Sequence, residues 1–330
     1  MKILVTGGNG FLGSHLVREL VARGHQVRAM FQPGTDLDRL DGLDVEALEG
    51  DLRDADALAR LCRGQEVVLH LAAVVQDWGP WELFREINVD GTRNLIAAVC
   101  AEEVRRLVFV SSVAVHRYVG ISAGDETWPR DNMTNPYAAS KIACEDMLLR
   151  AHRERRLEAV IARPGVFPFG VGDRLALPEL LRNHGAYVHV AGGRARLCTA
   201  YAPNFAEGLA LCAEVQRAAG QVYVIADDET PTWRQVTDRL FSGVGLSPAS
   251  RSVPLTAAMT AAMAAEAWAK ISRKPPLINR YRVSLAGRDC VFVSHKVKDE
   301  LGWRPRVGLD QALDATLGWL NDNRELWLQT

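Results

Sequence analysis

The first sixteen residues constrain this chain more than any other stretch. Ile3 to Val5 form a short apolar run that reads as a buried strand. Gly7, Gly10 and Gly13 follow, and a helical pattern begins with Leu12, Leu16 and Leu20. Strand, Gly-rich turn and helix N-terminus in that order make a place for an anion. Gly7 allows the tight turn, Gly10 lets a pyrophosphate approach the backbone, and Gly13 lets the helix pack close. The free N–H groups of the first helical turn then face the ligand. The glycines are spaced by three, unlike the G-x-G-x-x-G of many dehydrogenases.

Further along, strand and helix patterns alternate. Val27–Phe31, Val45–Leu48, Val67–Leu71, Leu107–Val110 and Ala159–Ala162 read as strands. Ala55–Cys62, Leu83–Cys100 and Ala138–His152 read as helices between them. This alternation predicts an α/β fold, a doubly wound parallel sheet of the Rossmann type. After Arg163 the pattern changes, with Pro, Gly and aromatic residues crowding Pro164 to Gly172. Helices are expected at Leu175–Arg182, Asn204–Glu214, Trp233–Phe241, Leu255–Ile271 and Leu309–Asn321, and one more strand at Val222–Ile225. The expected division is a dinucleotide-binding domain over 1–163, to which 203–227 returns. A smaller, mixed substrate lobe takes 164–202 and 228–330.

Composition excludes several classes. With 39 basic and 40 acidic residues the net charge is -1, so no charge excess points to nucleic acid or anionic lipid. No apolar run is long enough to span a bilayer, and the Ala-rich stretch after Leu255 is broken by Thr256, Thr260 and Glu266. The chain starts directly with a strand and shows no n-region or cleavage site, which predicts a cytoplasmic protein. The six cysteines (Cys62, Cys100, Cys144, Cys198, Cys212, Cys290) form no C-x-x-C pair and read as reduced core thiols; no metal site is expected.

The candidate residues for chemistry each follow a strand. Asp51 can accept a hydrogen bond from an adenine amino group; alternatively Asp51 or Asp54 caps the helix at Ala55. Ala72 and Ala73 are small enough for a ribose to lie against the backbone, while His70 reads as a satisfied core histidine. Tyr137 and Lys141, four apart, share one face of a helix opened by Pro136. A lysine ammonium beside a phenol favours the phenolate, as does an oxidised nicotinamide. Ser112, at the end of a strand, can donate to a substrate oxygen.

Together these residues resemble the extended short-chain dehydrogenase/reductases of the NAD-dependent epimerase/dehydratase superfamily. The carriers are Thr6 to Gly13, Gly50-Asp51-Leu52, His70 to Ala73, Asn88 to Asn94, Val110-Ser111-Ser112, Tyr137 to Lys141, Arg163-Pro164-Gly165 and Gly302 to Pro305. Within the superfamily, Trp78-Gly79, Phe84, Asn88-Val89 and the Leu255 to Ser294 segment resemble the branch of 3β-hydroxysteroid dehydrogenases, dihydroflavonol reductases and alkyl-ketoalkanoate reductases. Sugar-nucleotide epimerases usually carry Tyr-Gly where this chain has His116-Arg117.

The resemblance implies an NAD(P)-dependent oxidoreductase that moves a hydride between nicotinamide and a secondary alcohol or ketone. The alternative is a nucleotide-sugar epimerase or dehydratase with bound NAD. It implies Tyr137 as acid/base, Lys141 on the nicotinamide ribose and Ser112 as the catalytic hydroxyl. The implied cofactor contacts are Gly7, Asn9, Gly10, Phe11, Leu12 and Gly13; Phe31 and Gln32; Asp51 and Leu52; Leu71, Ala72 and Ala73; Asn88; Ser111; Tyr137 and Lys141; and Pro164, Gly165, Val166 and Phe167 along the nicotinamide. Phe31 stands where NAD-dependent relatives carry an aspartate, and Gln32 where NADP-dependent ones often carry an arginine. The missing carboxylate removes repulsion of a 2′-phosphate and favours NADP over NAD. An apolar or alicyclic substrate is expected from Trp78, Trp81, Phe167, Phe169 and Tyr187. Arg182, Arg194, Arg196, Arg280 and Arg282 read as a solvated surface. A homodimer through Leu83–Cys100 and Ala138–His152 is expected by resemblance alone.

Overall fold

The computed structural model describes residues 1–328. Its centre is a parallel sheet of β1 (Lys2–Thr6), β2 (Gln26–Phe31), β3 (Val45–Glu49), β4 (Val67–His70), β5 (Arg106–Val110), β6 (Glu158–Pro164) and β7 (Val222–Ile225). The spatial order is β7-β6-β5-β4-β1-β2-β3. The two directions of winding meet between β1 and β4, where a crevice opens beyond the strands' carboxyl ends.

Alternation along β1 divides the core in two. Ile3 and Val5 face α1 (Phe11–Ala22) and α5 (Ala202–Glu214), while Leu4 faces α2 (Ala55–Cys62), α3 (Gly91–Ala101) and α4 (Pro136–Arg153). Each layer seals one face of the sheet, so β1, β4 and β5 are apolar on both sides. β3 lies at the edge and carries exposed Glu46 and Glu49, which discourage further strand pairing.

The expected helix over Leu83–Cys100 is not continuous. A turn of α-helix at Trp81–Phe84 leads into a π-helical turn at Arg85–Asp90, and α3 starts only at Gly91. Inside the wide turn Asn88 is buried; its amide exchanges hydrogen bonds with the Val74 backbone at 2.8 and 3.1 Å and donates to Ser140 Oγ at 3.0 Å. Those bonds compensate the poorer packing of a π turn.

The second lobe is built on Phe169, Tyr201, Phe241, Leu313 and Leu317. It includes α6 (Leu255–Ser272) and α7 (Arg280–Gly287). Neither α7 nor the helix His295–Leu301 is signalled by an apolar period in the sequence. Three small parallel pairs are also unforeseen: Phe167–Phe169 with Thr199–Tyr201, His189–Val190 with Ser252–Val253, and Ile121–Gly124 with Cys290–Phe292. Strands this short are too brief to show a period of two.

Candidate active site

The Gly-rich turn leaves β1 with Gly7 at φ +69°, a conformation that disfavours any side chain. A Cβ on Gly7 would lie 3.0 Å from the Ala72 backbone, and one on Gly13 only 2.0 Å from the Gly7 carbonyl oxygen. Gly10 caps α1 without a side-chain bond, so the first-turn amides keep their capacity for an external acceptor. Beyond the turn lies a cleft of about 230 Å³ lined by Gly7, Asn9, Gln32, Asp51, Leu52, Ala72 and Ala73 among others. Asp54, not Asp51, caps α2, accepting from Ala57 N–H at 2.9 Å. Asp51 is thus left at the cleft, its carboxylate paired with Arg53 at 2.7 Å. Glycines, cleft and uncapped helix suit a dinucleotide.

The second part of the site stands at the end of β5. Asn135 caps α4, accepting from Ala138 N–H at 3.0 Å, and Pro136 opens its first turn. This fixes Tyr137 at the sheet's edge with Lys141 one turn below. Lys141 Nζ donates to the Val110 carbonyl at 2.9 Å and lies 5.8 Å from the Tyr137 ring centroid. Ser112 begins a short turn, its Oγ accepting from Ala114 N–H at 3.1 Å. Burial pushes Lys141 down to about 8, although Cys144 and Glu145 oppose this. Burial, aided by Tyr281, drives Tyr137 well above its ordinary value, with the Ser112 hydroxyl opposing this. The ammonium alone therefore does not carry Tyr137 to its phenolate.

Residues 3–226 match the NAD dependent epimerase/dehydratase family. The chain belongs to that family. It is 32% identical over 330 residues to the 2-alkyl-3-oxoalkanoate reductase of Stenotrophomonas maltophilia (strain K279a), covering 95% of this chain and 97% of the relative. It is 30% identical to the 3 beta-hydroxysteroid dehydrogenase/Delta 5-->4-isomerase of Mycobacterium tuberculosis (strain CDC 1551 / Oshkosh), over 96% of this chain and 89% of that one. The UDP-glucose 4-epimerase of Thermus thermophilus, in complex with NAD, superposes with a TM-score of 0.75 at 25% identity, covering 97% and 98% of the two chains. Within the epimerase/dehydratase family the chain thus stands with reductases and dehydrogenases, and it is an oxidoreductase.

Several residues that family resemblance assigns to the cofactor also have protein partners of their own. Phe31 is buried and does not line the cleft; Gln32 does. Asn88 spends its amide on Val74 and Ser140. Ser111 donates to Glu145 at 2.6 Å, whereas Ser112 Oγ accepts from Ala114 N–H at 3.1 Å, so the two serines have different partners. Asn9 donates to Thr35 Oγ1 and the Asp36 carbonyl, tying the Gly-rich turn to the loop after β2. Phe11 packs edge-on against His15, and Leu12 and Leu71 are partly buried against the core. Gly165 N–H donates to the Ile225 carbonyl just past Pro164, and Phe167 stacks on Phe169 at 5.8 Å.

The aromatic set expected around the substrate is also largely relocated. Phe169 and Tyr187 belong to the core of the second lobe, and Trp81 is 39% exposed. In their place Tyr281 and Leu285 of α7, with Val166 and Tyr118, cluster at Tyr137. The Tyr118 and Tyr281 hydroxyls are 3.4 Å apart. Nothing in the local sequence around Tyr281 marks it, because α7 reaches Tyr137 only through the chain's return.

Two further residues escaped sequence reasoning. Arg39 donates to the Asn9 carbonyl at 3.3 Å and the Gly172 carbonyl at 3.0 Å, so its guanidinium lies over the Gly-rich turn. Glu145, one turn beyond Lys141, is fully buried and receives Arg163, Arg130 and Ser111. Burial pushes its carboxyl up, but Arg163 outweighs burial and holds it below the usual range. His70 is the satisfied core histidine expected, bonded to Thr6 and Thr92. The arginines at 182, 196, 280 and 282 are engaged by the Leu326 carbonyl, Asp289, Glu266 and Asp77.

Proposed function

We propose that this oxidoreductase interconverts an apolar or alicyclic ketone and its secondary alcohol, with Tyr137 as acid/base. The observation that carries this is Tyr137 beside the buried Lys141 ammonium at the end of β5, inside a wall of Val166, Tyr281 and Leu285. Ser112 and Tyr137 both address the substrate oxygen, Ser112 to orient it and Tyr137 to give or take its proton. A phenol held protonated is suited to donate to a carbonyl oxygen, and by microscopic reversibility its phenolate to take the proton from an alcohol. Lys141 holds the ribose and supplies positive charge beside Tyr137. The bound dinucleotide supplies the hydride or accepts it. Gly7, Gly10 and Gly13 would receive its pyrophosphate, Asp51 its adenine, and Ala72 and Ala73 its ribose.

We further propose NADP as the preferred form. Gln32 rather than a carboxylate follows β2 at the cleft, and Arg39 brings a cation to the neighbouring Gly-rich turn. An apolar substrate is supported by the second-lobe arginines, four of which are spent within the protein instead of awaiting a diphosphate. The relatives named for 2-alkyl-3-oxoalkanoate reduction and 3 beta-hydroxysteroid dehydrogenation agree with such a substrate. Self-association through α3 and α4 belongs to the same proposal and is read by light scattering.

A panel of steroid, flavonoid and long-chain keto compounds, set against UDP- and dTDP-sugars with external cofactor, tests the reading. Net NADPH consumption with an apolar ketone is expected. Saturable binding of a nucleotide sugar, co-purified NAD and no turnover of any ketone would establish the epimerase alternative.

A further inference from the structure

Helix α6 carries several large apolar side chains on its outer face. Its inner positions Ala258 and Ala262 pack against Val283 of α7. Outward, Met263 is 48% exposed, Trp268 66% and Ile271 75%, and beyond the helix Leu277 is 92% exposed. Large apolar side chains gathered in this way on one edge mark a contact surface. Between them stand Lys270, Arg273 and Lys274, all exposed and in no ion pair among the described residues. The only carboxylate between Pro254 and Arg282 is Glu266, and it is bound to Arg280 at 2.8 Å.

This edge is continuous with the frame of the active site. Asp77 accepts from Asn279 Nδ2 at 3.1 Å and from Arg282, and its carbonyl accepts from Asn135 Nδ2 at 3.4 Å. Three loops are thereby joined: the one after β4, the one before Tyr137 and the one before α7. Each exposes an apolar residue at the rim, Val75 at 68%, Met133 at 63% and Leu277.

We propose that this rim and the outer face of α6 dock the protein on a bilayer surface bearing anionic headgroups, with the loops that frame Tyr137 against the lipid. Apolar side chains flanked by lysine and arginine, with a tryptophan among them, match the chemistry of a membrane interface. The attachment is peripheral, since among the described residues no helix is long and apolar enough to cross a membrane. A second copy fits less well. A two-fold contact through this face would bring Lys270, Arg273 and Lys274 toward their own counterparts with no free carboxylate to receive them. An apolar substrate dissolved in the bilayer would then reach Tyr137 without crossing water.

Vesicle co-sedimentation tests the proposal without reference to turnover, so its failure is separable from failure of the ketone reading. The full chain is mixed with vesicles of phosphatidylcholine alone and of an equimolar phosphatidylcholine–phosphatidylglycerol mixture, at low and high salt. Binding is expected on the anionic vesicles and should weaken with salt. Each interfacial cation contributes roughly fivefold to partitioning, so Lys270→Glu with Lys274→Glu should lower binding by at least ~25-fold. Trp268→Ser and Ile271→Ser should each cost about tenfold, with unchanged thermal midpoints because both side chains are exposed. Absence of binding, equal binding to both vesicle types, or binding that ignores these substitutions would overturn the proposal. So would a dimer that Trp268→Ser dissociates, which would assign the face to a second copy.

Discussion

Glu145 of α4 and Arg163 of β6 form a buried two-point pair, Oε1 to Nε at 2.8 Å and Oε2 to Nη2 at 2.6 Å. The pair binds the helix carrying Tyr137 and Lys141 to the sheet, while Ser111 on the same carboxylate anchors the residue next to Ser112. It acts through position, and touches none of the reacting groups. Glu145→Ala leaves the Arg163 guanidinium buried and uncompensated, which should cost about 3–5 kcal/mol of stability. Urea denaturation of the variant measures this. A loss below about 1 kcal/mol, the range of an exposed pair, would contradict the assignment.

Tyr137→Phe removes the hydroxyl that exchanges a proton and leaves the ring in place. Turnover should fall about a hundredfold or more, with the dissociation constant for cofactor near that of the parent protein. Lys141→Met should damage both. Steady-state kinetics together with fluorescence titration of NADPH separate the two outcomes. Retention of more than about a tenth of the parental rate by Tyr137→Phe would remove Tyr137 from the proton-transfer role.

Lys141 is depressed by burial to about 8 from an ordinary value of 10.5. The ammonium is thus present below about 8 and lost above it, earlier than for a solvated lysine. The profile of kcat/KM against pH for ketone reduction in the free enzyme should bend downward near that value. A profile flat to pH 10 would show that the charge of Lys141 is not needed.

Arg39 lies over the Gly-rich turn through the carbonyls of Asn9 and Gly172. A charge-assisted contact with a cofactor phosphate contributes roughly 1.5–3 kcal/mol, so Arg39→Ala should weaken cofactor binding by about ten- to a hundredfold. If the contact is to the 2′-phosphate, the loss falls on NADPH alone; if it is to the pyrophosphate, NADH suffers equally. Parallel titrations with the two nucleotides decide between them, and a parental preference for NADH would end the case for NADP.

Two buried histidines predict acid sensitivity. Burial lowers His70 to about 3 and His116 to about 4, so the folded protein binds fewer protons than the unfolded chain below the ordinary value of 6.5. Stability therefore falls as pH falls through that window, by up to about 1.4 kcal/mol per pH unit for each histidine. Chemical denaturation between pH 7 and pH 4.5 reads the slope, and His116→Gln should make it shallower. An unchanged slope in the variant would show that His116 is not the group responsible.

The sequence by itself determined whatever depends on neighbours along the chain. Four-residue spacing puts Tyr137 and Lys141 on one helix face, Gly7 and Gly13 can be read directly as a close approach, and alternation in Ile3-Leu4-Val5 places the two halves of the core. Tertiary structure decided the contacts that return from afar. Tyr281 joins Tyr137 through α7, which Asp77 holds by Asn279 and Arg282 and Trp233 by the Leu285 carbonyl. Arg39 reaches the Gly-rich turn because the chain folds back after β2, and Asn88 meets Val74 through a π turn that no apolar period records. The physical reason is range. Backbone geometry sets distances over a few residues, whereas the positions of Tyr281, Arg39 and Arg163 follow from packing and hydrogen bonding between segments that the periodicity of either one does not encode.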